Sequence, residues 1–386
     1  MNNTKYLSAT CDEFLQANGA RENTAQLGSR VIPNATVGIW RPNIRLWNQH
    51  IKNVKIWKCG KGKNCIDKDV ILLGYAESFF GHFLADSMSR AWIAIDDKYK
   101  NAEFIVVRAP NMKQWMEDLA REMYALAGIK NLTFVRDRTR FKSVTIPDSS
   151  FDYTRLLFHK KYTDTFKKIA DNATKGIKAI GPKKIYMSRT QLNENPTLGE
   201  DMLEKIFIAN GYTVVHIQKL SITEQIAVAR NATHIAGLEG TALHQTLFAR
   251  DGINLICINR YNAAIPMQIL IDKLKGINAT YVDASIDPYS RRKNESPLTI
   301  IGLNKNLRRF LDGNGFKYDA DAMRAADARN MKIFMEIWRA HHRWLPKWLA
   351  QIITVLIPVR KWRKAARRRL GVSFQGITRE EVFPHC

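Results

Sequence analysis

Within the segment Asn231–Phe248, NATHIAGLEGTALHQTLF, a carboxylate, a hydroxyl and an imidazole stand close together: Glu239, Thr241 and His244, beside Gly237 and Gly240. Ala232–Ala236 reads as a short buried strand, Gly237–Gly240 as a tight turn, and Thr241 as the opening of an apolar-periodic helix. A strand, a glycine turn and a helix start gather unpaired backbone N–H groups and a positive dipole end at one point, which suits an anion such as phosphate. Gly240 lets a ligand approach the backbone, and Thr241 is a candidate cap with a hydroxyl to spare. Glu239 could accept hydrogen bonds from ribose or sugar hydroxyls, serve as a base, or brace the turn. His244 follows Thr241 by three residues and faces either the pocket or the core.

Two further sets carry possible chemistry. The strand Lys184–Arg189, KIYMSR, ends on Ser188 and Arg189. Such a guanidinium grips a diphosphate or pairs with a surface acid. His82 and Asp86 are four apart in a helical stretch and share one face. They make either a base with its orienting carboxylate or a polar helix start. Glu224 and Gln225 shape the helix start after Ser221, and Gln225 is a candidate to support the binding loop.

The elements that must hold these residues alternate. Short apolar runs at 70–75, 104–108, 132–135, 184–189, 212–216, 232–236 and 252–258 are separated by helical patterns at 79–96, 112–127, 159–175, 198–210 and after Leu220. That alternation predicts α/β units with doubly wound parallel sheets, whose ligands lie beyond the carboxyl ends of the strands. Ser188-Arg189 and Glu239-Gly240 fall on that edge together. Gly181-Pro182 breaks the chain between a helix and a fresh strand, so the expected domains are 1–180, 181–290 and a helical extension, 291–386.

"IYMSR", "LSITEQ" and "AGLEGTALHQTLF", in that order, resemble the family 61 glycosyltransferases, which include bacterial capsular-polysaccharide enzymes. Gly81–Trp92, GHFLADSMSRAW, is similar to that family's N-terminal "HFLLD…R" helix. The likeness spans roughly residues 70–285. Many members carry His-Gly where this chain has Glu239-Gly240. The resemblance implies a GT-B-like pair of Rossmann-like domains. It also implies transfer of a sugar from a nucleotide-sugar co-substrate to a glycan or lipid-linked glycan, with inversion and with neither metal nor cofactor. It makes His82, Asp86 and Glu239 the candidate bases. Ser188, Arg189, Gln225, Gly237, Glu239, Gly240, Thr241 and His244 become the candidate donor-binding residues. The competing reading is a non-catalytic glycan- or nucleotide-binding module tethered to a membrane.

Composition bounds the partners. The 386 residues carry a formal charge of +24, which calls for an anionic partner. Between Arg329 and Leu370 stand twelve Lys/Arg against the single acid Glu336, with Trp338, Trp344, Trp348 and Trp362. The apolar stretch 348–359 is too short to span a bilayer and suited to lie in an anionic interface. The alternative is a helix folded onto the core with a solvated basic face. Nucleic acid is not expected, because no recognition motif accompanies the charge. The start, MNNTKYLSATCDEFLQ, has no apolar core and predicts no signal peptide. Five dispersed cysteines fit a reducing compartment. The expected location is therefore cytoplasmic, peripheral on the inner face of a bacterial plasma membrane. Asp319-Ala320-Asp321 imitates a metal-binding DXD but sits in an Ala-rich helical stretch, and no metal site is expected.

Overall fold

A parallel sheet with the strand order Lys5–Leu7, Asn278–Asp283, Asn254–Asn259, His234–Leu238, Lys184–Met187, Thr213–Val215 forms the second half of the protein. The structure is a computed structural model. It describes residues 5–7, 21–39, 54–58, 62–177, 181–192, 196–261, 266–289 and 298–341, with 352, 354–359, 362, 363 and 366 of the C-terminal stretch. Residues 178–180, at the expected junction, and Trp344 and Trp348 lie outside the described residues. Within 184–283 the strands run 2-1-3-4-5. The order therefore reverses between Lys184–Met187 and His234–Leu238, and such a switch point opens a crevice at the carboxyl ends. Ile185, Tyr186, Met187, Ile235 and Ala236 are buried, as strands covered on both faces must be.

The first sheet is mixed, against the expectation of a second doubly wound unit. Asn64–Ala76, Glu103–Arg108, Asn131–Val135 and Thr139–Pro147 run parallel, while Ser29–Pro33, Ala35–Ile39 and Val54–Lys58 join antiparallel. Much of Thr139–Pro147, TRFKSVTIP, alternates covered and uncovered positions, the pattern of a strand with one face towards water, which antiparallel neighbours tolerate. Its many polar residues hide it from a search for apolar runs.

A common apolar layer joins the halves. Tyr162, Phe166 and Ile169 of the helix Lys160–Ala173 cluster with Ile222 and Ile226 of the helix Ile222–Asn231, and with Leu247 and Phe248. The Phe166 and Phe248 rings stand 5.4 Å apart, tilted. Full burial of each such side chain contributes about 1.5–3 kcal/mol. Ser221 and Glu224 close a capping box on the second of these helices, worth roughly 1 kcal/mol.

The basic tail divides. Ala320–His341 is one helix whose Phe334 is buried against Leu198, Leu298 and Ile300. Trp338 stacks on Tyr289 at 4.3 Å. Residues 329–341 are thus part of the folded body. Beyond them Ile352, Val355, Leu356, Val359 and Trp362 are exposed. Among the described residues no helix is long and apolar enough to cross a membrane. Asp319 accepts from the backbone N–H groups of Asp321 and Ala322 at 3.0 and 2.9 Å, so the DXD look-alike is a helix cap.

Candidate active site

Three neighbouring strands of the second sheet end on the residues that build the site. After Lys184–Met187 the chain delivers Ser188 and Arg189, and the helix Glu200–Ala209 grips both. The Ser188 hydroxyl donates to Glu204 and also meets Thr190 Oγ1 at 3.0 Å, while the Arg189 backbone N–H donates to Glu200 Oε1 at 2.8 Å. Ser188 is fully buried, with its hydroxyl committed to this anchor. Burial pushes the Glu200 carboxyl up to about 7, against the pull of the Arg189 N–H. With its backbone held this way, Arg189 directs its guanidinium at the next strand end.

That strand, His234–Leu238, runs two residues further than the sequence pattern suggests, so Gly237 belongs to the strand and not to the turn. A Cβ on Gly237 would sit 2.9 Å from the Met187 carbonyl oxygen. This glycine serves close strand packing. Gly240 makes the turn, at φ 154° and ψ −177°, a region open essentially to glycine alone. It also stands at the N-cap, with no side-chain cap bond, where Thr241 was expected. The following helix, Thr241–Leu247, is a seven-residue 3-10 helix, so its dipole is short. The charge at this turn comes from side chains instead.

Two arginines converge on it. A Cβ on Gly240 would lie 3.2 Å from Arg189 Nη1 and 3.6 Å from Arg260 Nη2, which puts the two nitrogens no more than about 7 Å apart. Arg260 follows the strand Asn254–Asn259, is buried, and donates Nε–H to the Glu239 carbonyl at 3.0 Å. Arg189 Nε is buried with no hydrogen-bond partner among the described residues. Desolvation, then repulsion from Arg260, brings the Arg189 guanidinium down to about 10. Two like charges at that spacing repel by about 2 kcal/mol at an effective dielectric near 20, which a bound anion reverses. Arg260 escaped the sequence reading, although Cys257-Ile258-Asn259-Arg260 repeats the strand-then-arginine pattern of Tyr186-Met187-Ser188-Arg189.

Glu239 is 1% exposed, inside the protein rather than at an open surface. Burial, then the charge of Glu239, raises the Cys257 thiol. Gln225 accepts from Gln245 Nε2 at 2.6 Å and donates to the Leu220 carbonyl at 2.9 Å, so it braces the 3-10 helix from behind. His244 is buried, with Nδ1 2.8 Å from Gln268 Oε1.

Gly81 brings the first half against the start of this helix. A Cβ on Gly81 would stand 3.0 Å from Thr241 Oγ1 and 3.3 Å from His244 Cδ2. His82 is the next residue, and its Nδ1 lies 3.2 Å from Asp86 Oδ2. The His82 side chain is 42% exposed and that of Asp86 24%. Tyr153 donates to the same carboxylate at 3.5 Å. The helical stretch is not uniform. An α-turn, Phe80–His82, passes into a π-helix, Phe83–Ser87, and then a 3-10 helix, Met88–Ile95. π-Turns of this kind are frequent at functional sites.

Residues 80–256 match the sequence profile of the glycosyltransferase 61 family. The matched stretch begins next to Gly81-His82 and takes in Arg189 and the whole Glu239–His244 loop. Over that stretch the chain is similar to the family 61 glycosyltransferases. No curated protein matches the chain. Among the described residues, no group of three or more His, Cys, Asp and Glu is arranged to hold a metal ion.

Proposed function

We propose that the protein transfers a sugar from a nucleotide-sugar donor to a hydroxyl of a glycan acceptor, with inversion and without a bound metal. The observation that carries this is the convergence of Arg189 and Arg260 on Gly240, one residue from the contact between Thr241 and Gly81. The donor's diphosphate lies between the two guanidinium groups, which neutralise charge on the leaving group in the role a divalent cation fills elsewhere. On the other side of that contact, His82 is the base. Asp86 accepts its Nδ1–H, so Nε2 takes the proton of the acceptor hydroxyl as that oxygen attacks the anomeric carbon. The bond from sugar to diphosphate breaks with its electron pair on the departing nucleotide. Glu239, at 1% exposure, would have to be uncovered to do this work, and so His82 is preferred.

The acceptor is a growing polysaccharide of capsule, lipopolysaccharide or exopolysaccharide type, carried on lipid. Residues 342–370, with nine Lys/Arg and no acid, dock on the anionic inner face of a bacterial plasma membrane. The deciding experiment incubates the protein with UDP-, GDP- and CMP-sugars, with and without EDTA, and follows donor hydrolysis. Turnover of one donor that resists EDTA is expected. His82→Ala should abolish it while leaving nucleoside-diphosphate affinity nearly intact, since a base acts mainly in the transition state. Failure to bind any nucleoside diphosphate would overturn the reading.

A further inference from the structure

Two exposed aromatic rings follow the strand ends that lead to His82, and the transfer chemistry above does not use them. Phe79 and Trp115 are 68% and 56% exposed, more than any other described Phe or Trp side chain between residues 62 and 341. The strands they follow are parallel neighbours, Asn64–Ala76 and Glu103–Arg108, with Ala76 paired to Arg108. Beyond the strands the two chains are tied again, where Ser78 Oγ donates to Asn111 Oδ1 at 3.0 Å. Phe79 comes two residues before Gly81, which stands against Thr241, and three before His82. Trp115 is in the first turn of the helix Gln114–Leu126. Leu119 and Glu122 share its side of that helix, and Glu122 accepts from Thr223 of the second half at 3.3 Å. That side therefore looks across the crevice between the halves, with Trp115 at the end nearest the strand edges.

The backbone under both rings is fastened. Glu117, two residues after Trp115, is 1% exposed and takes Arg108 Nε at 2.6 Å, Arg121 Nη2 at 2.9 Å and Arg136 Nη2 at 3.0 Å. Arg108 also donates to the carbonyls of Ala109 and Met112 at 3.1 and 2.6 Å, which pins the loop ahead of the helix. The Phe79 carbonyl accepts from the Phe83 N–H at 2.8 Å as the helical stretch opens. Rings on a fixed backbone and bare to solvent make a surface that a ligand covers with little ordering cost. The ligand's chemistry follows from the ring. A pyranose presents a face of weakly positive C–H bonds to the negative face of an aromatic ring, while its hydroxyls stay hydrated at the edge.

We propose that Phe79 and Trp115 are the acceptor platform, stacking on sugar rings of a glycan already two or more units long and leading its terminal hydroxyl to His82. What then happens to the glycan rests on the sugar-transfer reading, whereas holding it needs only the rings. A membrane surface or a second copy of the chain pressed on the same rings would cover the approach to His82, whose side chain is 42% exposed. A slender oligosaccharide reaches it lengthwise.

The test is saturation-transfer NMR and calorimetry of the full chain with cellotetraose, xylotetraose, chitotetraose and maltotetraose, each beside its monosaccharide. At least one tetrasaccharide should bind, roughly tenfold or more tighter than its single unit. Trp115→Leu and Phe79→Leu should each weaken it about tenfold, one stacked ring's worth, with UDP and GDP affinity unchanged. Trp115→Tyr, which keeps an aromatic face, should restore most of the binding, and a merely apolar or structural contribution would not separate tyrosine from leucine. Binding of none of the four tetrasaccharides overturns the proposal. So do leucine variants that bind the sugar as well as the wild type does, or that lose oligosaccharide and nucleoside diphosphate together. Sedimentation with anionic liposomes that falls in Phe79→Leu while oligosaccharide affinity holds would give the rings to the membrane and overturn it too. Tetrasaccharide binding in a protein that binds no nucleoside diphosphate would sink the sugar-transfer reading and leave the platform standing.

Discussion

Arg189 and Arg260 differ in how they are held, and the difference sets what each variant should do. Arg260 has its Nε–H on the Glu239 carbonyl and so also fixes the turn. Arg189 is anchored through its backbone amide, which any residue but proline supplies. Arg189→Ala should therefore weaken nucleoside-diphosphate binding by tens- to a hundredfold, the value of a buried charge-assisted contact of about 2–3 kcal/mol, with little change in melting temperature. Arg260→Ala should weaken binding by a similar factor and also lower the melting temperature. Calorimetric affinities unchanged in both variants would remove the diphosphate from this place. A lysine at position 189 should recover only part of the loss, since an ammonium lacks the two-pronged geometry.

At the scale of elements, the strand-to-helix joints were legible and their details were not. Apolar runs located Lys184–Met187 and His234–Leu238, because strands buried on both faces must be apolar. Arg189, after the first of them, needed only the rule that ligands sit beyond carboxyl edges, whereas Arg260 follows Asn254–Asn259 and was missed. The 3-10 form of Thr241–Leu247 and the π-turn at Phe83–Ser87 left no comparable signal, since periods of 3.0, 3.6 and 4.4 are indistinguishable over five to seven residues. Phe79 and Trp115 were hidden for another reason. Both fall in apolar helical patterns that point to a core, and only tertiary packing leaves their rings outside. Gly81 tests the joint between halves. Gly81→Ala would force Thr241 to yield by a few tenths of an ångström, and overpacking at such contacts costs about 1–3 kcal/mol. Turnover should fall roughly tenfold or more while circular dichroism stays native. Unchanged turnover would mean that the contact does not set the distance between base and donor.

The molecule as a whole should be less stable at higher pH than its carboxylate count suggests. Asp272 and Glu200 are both pushed by burial up to about 7. Between their unfolded values near 4 and that figure, the folded state holds protons that the unfolded chain has released. Their contribution is fully present below pH 4, falls as pH rises towards 7, and is level above. The melting temperature should decline from pH 5 to 7.5, and Asp272→Asn should flatten the decline. An identical slope in that variant would show that Asp272 ionises normally. The tail calls for a different cut from the one its composition suggests. Truncation at Asp327 would remove Phe334 from the core, whereas removing residues 342–386 leaves the helix Ala320–His341 whole. The shorter protein should still bind donor and should no longer co-sediment with anionic liposomes. The full chain should do so, less at high salt. Equal sedimentation would clear the tail of that role. One pairing imposes an order on biosynthesis. Lys5, Tyr6 and Leu7 add a strand beside Thr280, Tyr281 and Val282, so the earliest described residues wait for partners made some 275 residues later. At about 5–20 residues per second Lys5–Leu7 goes without its partner for roughly 14–55 s on the ribosome, and the strand that carries the Tyr281 hydroxyl is closed by the earliest of the described residues.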